Sequence, residues 1–277
     1  MDPVTYEKLR IDILINPKLI DKASSEGFVD ILEQCHQSGL PLEYSVNAID
    51  LASQNNHIAV LQWWLESGLE LKYTEFAMYS ASIRCHIDVL QWWRNSGLKL
   101  KYSETIINHV SRNGDIDVLE WWHRSDLALK YTYHAIDAAS ARGHVNVLRW
   151  WYRSGLQPKY SSDAMDAASE RGNINVLEWW LNSKLKKKYS DRTMDLASQN
   201  NHIKVLEWWL SSGLPLKYSN RAIDKACEKR YMNILVWWQK SRLELKCSRA
   251  TRNWFSRLNV YPYEDVQQWC RYVGLVS

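Results

Sequence analysis

Several residue types are scarce in the sequence, and each scarcity excludes a class of protein. The 277 residues include only 6 Pro and 10 Gly, which is too few for a collagen-like or low-complexity chain. The 5 Cys form no CxxC pair and no regular framework, so their spacing indicates neither a zinc ribbon nor a disulfide-rich secreted domain. We therefore expect reduced thiols in an intracellular protein, either cytoplasmic or nuclear.

Long apolar runs and an excess of one charge are also missing. No stretch approaches the roughly 18 apolar residues of a membrane span, and the opening MDPVTYEKLRIDILI lacks the apolar segment of a signal peptide. A net charge of +4 is too mild to indicate binding to nucleic acid or membrane by itself. We expect no membrane association.

Tryptophan is abundant, with 16 residues, and most of it is periodic. A Ser or Thr recurs every 29 residues from Ser45 to Ser248, and a Leu recurs at the same interval from Leu40 to Leu243. Because this period is unbroken from residue 45 to residue 247, it leaves no room for an embedded catalytic domain, and we expect no enzyme. Seven Trp-Trp pairs, 29 residues apart, begin at Trp63, Trp92, Trp121, Trp150, Trp179, Trp208 and Trp237.

One repeat, residues 45–73, predicts two short helices joined by tight turns. Ser45 is a suitable N-cap for the first helix. Asn56, where other repeats carry Gly, predicts a left-handed residue after that helix, and Gly68 predicts the end of the second. No segment alternates for long enough to be a strand. The predicted fold class is therefore all-α, a solenoid of nine helix-turn-helix repeats with short connecting turns.

The repeat resembles the ankyrin repeat, whose core reads L-H-x-A-A-x-x-G-H-x-x-V-V-x-x-L-L-x-x-G-A. Its period is shorter than the usual ankyrin period of about 33, and the whole deletion falls where ankyrin proteins carry a β-hairpin finger. The resemblance covers residues 16 to 277 and implies a short-finger solenoid that does not bind through finger tips. The matching residues are Ile49 to Ser53, Asn56-His57, Val60-Leu61, Trp63-Trp64 and Gly68-Leu69, with Gly143-His144 intact in the fifth repeat.

Three segments are predicted along the chain. Residues 1–15 form an N-terminal capping segment, residues 16–247 form eight 29-residue repeats, and residues 248–277 form a C-terminal capping repeat. The first repeat begins with Asn16 as N-cap and Pro17 at the first helical position. The last repeat inserts three residues at 260–262. Atypical terminal repeats are expected, since each has one face without a neighbour.

The Trp pairs have a structural and a functional interpretation. Trp64 follows Leu61 and Val60 by three and four residues, so we expect the second Trp of each pair to point into the core. Trp63 lies on the flank, where it can cover the second helix of a neighbouring repeat. The alternative is an aromatic ladder that binds a ligand.

In six of the nine predicted repeats an aspartate recurs at the position of the His in the ankyrin T-P-L-H motif, and Tyr79, Asn108 and Asn253 fill the other three positions. An Asp there can accept a backbone amide from the adjacent repeat, so we expect a structural role. Histidines recur at His57, His86, His144 and His202, where the ankyrin resemblance implies a turn residue; they are too far apart to share zinc. We expect no metal site and no cofactor. The aspartates are Asp21, Asp50, Asp137, Asp166, Asp195 and Asp224.

Lysines form a further ladder, and all but the last precede a Tyr. Their spacing could present a positive stripe to phosphates, so the alternative function is a nucleic-acid or anionic-surface binder. We favour the interpretation that each Lys stem covers a Tyr ring while the ammonium stays in water or pairs with an Asp. The lysines are Lys72, Lys101, Lys130, Lys159, Lys188, Lys217 and Lys246.

The resemblance also implies where a partner binds. In ankyrin proteins the residues that open the first helix and those after its A-A pair face a concave groove. Here these positions differ most in repeats three to five, where aromatic and Arg side chains are typical of a binding hot spot; neutral variation is the alternative. We predict a monomeric scaffold that binds another protein on this face. The predicted contacts are Phe76, Tyr79, Ile83, Arg84, Asn108, His109, Arg112, Tyr133, His134 and Arg142.

Overall fold

The computed structural model describes residues 19–39, 41–256 and 263–276, which form eighteen α-helices and no β-strand. The all-α prediction is confirmed. The predicted N-cap Asn16 and Pro17, the capping segment 1–15 and the insertion at 260–262 lie outside these described residues. The chain divides into two compact units, residues 1–131 and 132–277. The division falls at the junction between the fourth and fifth predicted repeats.

The helices of the first unit come in pairs that repeat at the interval of the sequence. Their bounds are α1 Ile20–Glu26, α2 Val29–Gln37, α3 Asn47–Gln54, α4 Ile58–Glu66, α5 Phe76–Ile83, α6 Ile87–Asn95, α7 Glu104–Asn113 and α8 Ile116–Arg124.

The second unit continues the same pairing. Its helices are α9 His134–Ala141, α10 Val145–Arg153, α11 Asp163–Glu170, α12 Ile174–Asn182, α13 Arg192–Gln199, α14 Ile203–Ser211, α15 Arg221–Glu228, α16 Met232–Lys240, α17 Arg249–Ser256 and α18 Glu264–Tyr272.

Each unit has two layers of helices. Odd-numbered helices are the first helices of the repeats; α1, α3, α5 and α7 pack in sequence, as do α9, α11, α13 and α15. Even-numbered helices form the layer behind them. The first helices can pack closely because their shared faces carry small residues, as at Ala48 and Ala52, which are fully buried. Each unit is therefore a stack of helical hairpins in which a repeat contacts its sequence neighbours.

The turn between the two helices of a repeat has the predicted left-handed residue. Asn56 has φ 63° and Gly27 has φ 86°. A Cβ on Gly27 would lie 2.7 Å from Nδ1 of His57, so the imidazole packs against the backbone of the preceding repeat. This contact gives the His57 position a structural role.

Ser45 makes the hydrogen bond predicted for an N-cap, and Thr74 makes the same contact in the next repeat. The Ser45 hydroxyl accepts the Asn47 N–H at 3.1 Å, and the Thr74 hydroxyl accepts the Phe76 N–H at 3.1 Å. These bonds satisfy amides of the first turn that have no partner within the helix.

The two tryptophans of each pair occupy different environments. The second member is buried in every pair; Trp180, for example, is 0% exposed. The first member lies on the flank, as at the half-buried Trp179, although Trp63 and Trp208 are also more than nine-tenths buried. The predicted assignment of core and flank positions is confirmed.

We expect Trp180→Ala to destabilise the protein by about 3–5 kcal/mol, because it removes a large side chain from a packed site. Trp179→Ala should cost less than half as much, since its ring is partly in solvent. Denaturant titration followed by far-ultraviolet circular dichroism measures both variants. Equal losses would contradict the assignment of the two faces.

Candidate functional site

Side chains that recur in every repeat are largely engaged in contacts between repeats. The buried indole N–H of the second Trp donates to a serine in the first helix of the preceding repeat. The bond is 3.0 Å from Trp64 to Ser24 and 3.1 Å from Trp180 to Ser140. The serine hydroxyl can donate in turn to the carbonyl four residues before it, as Ser53 does to Ile49 at 2.9 Å. We call this contact the Trp–Ser pair.

The first Trp of several pairs also bonds to the preceding repeat, at Trp63, Trp92, Trp121 and Trp208. Its indole N–H donates to Glu33 from Trp63 at 2.7 Å and to Gln62 from Trp92 at 2.8 Å. Its ring meets the second Trp edge to face, with centroids 5.1 Å apart in the Trp63–Trp64 pair. These contacts favour the packing interpretation over a ligand-binding ladder.

The aspartate ladder joins consecutive repeats, as predicted. One carboxylate oxygen of Asp166 accepts the Ser190 N–H at 2.9 Å, and the other accepts its hydroxyl at 2.5 Å. We call this contact the Asp–Ser pair. It also joins Asp21 to Ser45, Asp50 to Thr74, Asp137 to Ser161 and Asp195 to Ser219.

Burial sets the electrostatics of these carboxyl groups. Removal from water disfavours the charged form and raises the pKa, while the hydrogen bonds from the hydroxyl and the amide oppose the rise. The net pKa is above the ordinary value in Asp50, Asp137, Asp166 and Asp195.

The lysines lie over the tyrosines of the preceding repeat. The Lys101 ammonium is 4.3 Å from the centroid of the Tyr73 ring and donates to the Tyr73 carbonyl at 2.7 Å. The partner is therefore a backbone carbonyl and not the Asp considered from the sequence. We call this contact the Lys–Tyr pair; it also joins Lys72 to Tyr44, Lys130 to Tyr102, Lys188 to Tyr160, Lys217 to Tyr189 and Lys246 to Tyr218.

The first unit departs from this framework at α5 and α7. Tyr79 occupies the aspartate position, and its hydroxyl lies 2.9 Å from Nδ1 of His109. The Phe76 ring is 6.2 Å from the Tyr79 ring, and the Tyr79 ring is 5.6 Å from the His109 ring. In the junctions with an Asp–Ser pair, the residue equivalent to Ser103 bonds to an Asp. Here the Ser103 hydroxyl bonds to the Thr105 hydroxyl at 3.2 Å. An aromatic cluster of Phe76, Tyr79 and His109 thus replaces an Asp–Ser pair.

The predicted contact residues separate into two groups, one in each unit. In the first unit Ile83 lies at the end of α5, Arg84 follows it, and Asn108 and Arg112 lie on α7. Both arginines are exposed, whereas Ile83 and Asn108 are half-buried. The structure brings the aromatic cluster together but gives no direct contact from it to either arginine among the described residues.

The group in the second unit lies at the ends of α9. Tyr133 is 46% exposed, and its ring lies 4.2 Å from the ring of the neighbouring His134. Arg142 follows α9 and is exposed. The outward position of all three agrees with a surface role, but the sequence alone did not reveal the pairing of the two rings.

Sequence reasoning missed a groove in the second unit. A cavity of about 380 Å³ lies between α15 and α17, where Trp254 is 39% exposed. Its wall carries both charges, including Arg221 and Glu228. The available signal was that Trp254 stands outside the Trp-Trp pattern.

Neither a metal site nor a membrane span is found in the part of the chain that the structure describes. These residues include no group of three or more His, Cys, Asp or Glu side chains arranged to hold a metal ion. None of the described helices has the length and apolar character needed to cross a bilayer.

Compared with protein-family models and with curated proteins, the chain matches none of them. Its resemblance to the ankyrin repeat therefore rests on its own residues and their spacing.

The Asp–Ser pair can be tested at Asp166. We expect Asp166→Ala to cost about 1–3 kcal/mol, because it leaves the Ser190 N–H without its acceptor. Asp166→Asn should cost less, since the amide oxygen can still accept that N–H. The control is Glu207→Ala at an exposed position in the middle of α14, which should change stability by no more than about 0.5 kcal/mol. Chemical denaturation at pH 7 measures the three variants.

The same variants have a pH dependence with a defined sign. Because the folded-state pKa of Asp166 is raised, its contribution to stability is greatest below the unfolded pKa and declines as pH rises through the folded pKa. As pH rises from the unfolded pKa to the folded pKa of Asp166, the free energy of unfolding of Asp166→Asn should therefore increase relative to that of wild type. A shift in the opposite direction would show that hydrogen bonding outweighs burial.

Proposed function

We propose that the chain is an ankyrin-like scaffold that binds another protein through the first-helix layer at α5 and α7. The observation that carries this proposal is the replacement of an Asp–Ser pair by the aromatic cluster of Phe76, Tyr79 and His109. A framework that repeats elsewhere gives way here to large half-buried rings. Contact with a partner explains why rings stand here in place of an Asp–Ser pair.

The chemistry of the surroundings supports a protein partner. Aromatic and Arg side chains are enriched in binding hot spots. An aromatic ring buries a large area and loses little conformational entropy. Arg84 and Arg112 are exposed on the same two repeats, where they can bond to carboxylates or carbonyls at the rim of an interface. We propose a binding role and no catalytic one, with Tyr133, His134 and Arg142 as a second contact group.

Binding of nucleic acid through the lysine ladder is the weaker alternative. Each described Lys–Tyr pair already uses the ammonium in a ring contact and a bond to a backbone carbonyl. A phosphate would have to compete with both. The lysines are therefore better explained as links between repeats than as a phosphate-binding stripe.

The binding proposal can be tested with a variant carrying Phe76→Ala, Tyr79→Ala and Arg112→Ala. Binders are selected from a displayed library of natural peptides with the wild-type protein, and their affinity for each variant is measured by calorimetry. We expect the triple variant to bind at least about tenfold more weakly and to keep its helical circular dichroism spectrum, although loss of the half-buried rings lowers its melting temperature.

The matched control is a double variant, Asp88→Ala with Arg94→Ala. Both residues lie on α6, in the layer of second helices behind the proposed site. Both side chains are exposed, and the ion pair of Arg94 with Asp126 should contribute little to stability. The control should bind as wild type does. Retained binding in the triple variant, together with loss in the control, would contradict the assignment of the binding face.

The lysine alternative is tested with Lys101→Gln, Lys130→Gln and Lys188→Gln combined. We expect weak binding of the wild type to random single-stranded RNA, little changed by the substitutions, at two salt concentrations. A control with Lys99, Lys184 and Lys186 replaced by Gln removes the same charge from exposed positions. Tight, steeply salt-dependent binding that only the first variant loses would instead support a phosphate-binding ladder.

A further inference from the structure

At the junction between the eighth and ninth repeats, both residues of the Trp–Ser pair are replaced. Ser198 accepts the Trp238 indole N–H at 2.9 Å. The next serine position, 29 residues after Ser198, holds Cys227. The next second-Trp position holds Cys270, directly after Trp269. Both members of one pair have therefore become cysteine.

The register of the last repeat confirms this correspondence. Trp269 keeps the role of a first Trp, because its indole N–H donates to Gln239 of the preceding repeat at 3.1 Å. Its position in the helix agrees, since Trp269 and Cys270 are the sixth and seventh residues of α18, as Trp237 and Trp238 are of α16. Cys270 therefore lies where the other repeats place a buried indole.

The two thiols are buried and in contact. Cys227 is 0% exposed and Cys270 is 1% exposed, and a hydrogen bond joins their side chains. That bond and burial raise the pKa of Cys227, while the same bond lowers the pKa of Cys270. Cys247 lies in the same cluster, where burial and Asp224 raise its pKa to about 12. Of the three, Cys270 ionises most readily.

We propose that Cys227 and Cys270 are an oxidisable pair, a modification site at which a low-molecular-weight disulfide such as oxidised glutathione forms a covalent bond between α15 and α18. Thiols in hydrogen-bond contact need only a small displacement to reach the S–S distance of about 2.05 Å. The pair joins the eighth repeat to the ninth, so local separation of α18 from α15 exposes both thiols. Opening admits the oxidant to both sulfurs.

The reaction proceeds by two thiol–disulfide exchanges. The Cys270 thiolate attacks one sulfur of oxidised glutathione, forms a mixed disulfide and releases one glutathione thiolate. The Cys227 thiolate then attacks the Cys270 sulfur and releases the second glutathione. The protein loses two electrons and two protons, and oxidised glutathione gains them as two thiols.

The bond would anchor the terminal helix. In the reduced protein α18 is held by side-chain packing and by bonds such as the one from Trp269 to Gln239. A covalent link from α18 to α15 opposes opening of the last repeat by restricting the opened state. Oxidation would thereby change the rigidity of the end of the second unit without altering its fold.

The test exposes the full-length protein to oxidised glutathione under native conditions. We expect peptide mapping by mass spectrometry to find Cys227 linked to Cys270, with the loss of two hydrogen atoms. Backbone amides of α18 should exchange with deuterium at least about tenfold more slowly after oxidation. Reduction with dithiothreitol should restore the original rate.

A double variant, Cys227→Ser with Cys270→Trp, is the control because it restores the pair found in the other repeats. It should fold, form no internal disulfide and show no oxidant-dependent change in α18 exchange. A wild-type protein that forms no 227–270 disulfide, that pairs Cys247 instead, or whose α18 exchange is unaffected by the bond would overturn the proposal.

Discussion

A hydrogen bond between a buried indole and a buried serine hydroxyl is the contact on which the stacking of repeats depends. An indole brings a large apolar surface into the core, but its N–H would be costly without an acceptor. In pairs such as Trp64 with Ser24, the acceptor comes from the preceding repeat at 3.0 Å. The serine hydroxyl must lie close to the indole, so the first helices need small residues on their shared face. One polar contact therefore constrains the helix spacing, the register and the residue types of two repeats.

The other recurring contacts follow from that register. With the indole in place, the Tyr73 ring packs against Trp93 at 4.9 Å, and Lys101 covers the outer face of the same tyrosine. On the first-helix side, Asp50 accepts both the amide and the hydroxyl of Thr74. Most recurring polar side chains are thus used between repeats. Functional variation is left to positions outside these pairs, chiefly at the ends and outer faces of the first helices.

Two departures from the common pattern each carry an inference. At Tyr79 and His109 a polar contact has been exchanged for a cluster of rings, which suits recognition of a partner. At Cys227 and Cys270 both members of a Trp–Ser pair have changed together, which keeps the side chains in contact and gives them redox chemistry. A lone substitution would be explained by drift more easily than such paired changes. The regularity of the other repeats makes both departures visible.

The sequence by itself determined the repeat length, because the 29-residue interval recurs along the chain. It also determined the all-α class, the N-cap contact of Ser45, the left-handed turn residue and the inward Trp, because these depend on residue spacing within one repeat. It also pointed to an amide acceptor role for Asp50. Only the tertiary structure decided which residues meet between repeats. The acceptor of the Lys101 ammonium was a carbonyl 28 residues earlier, and the Trp64 acceptor lay 40 residues away. The contact of Cys227 with Cys270 had no signal in cysteine spacing. These partners depend on how one helical hairpin lies on the next, which a local pattern does not specify.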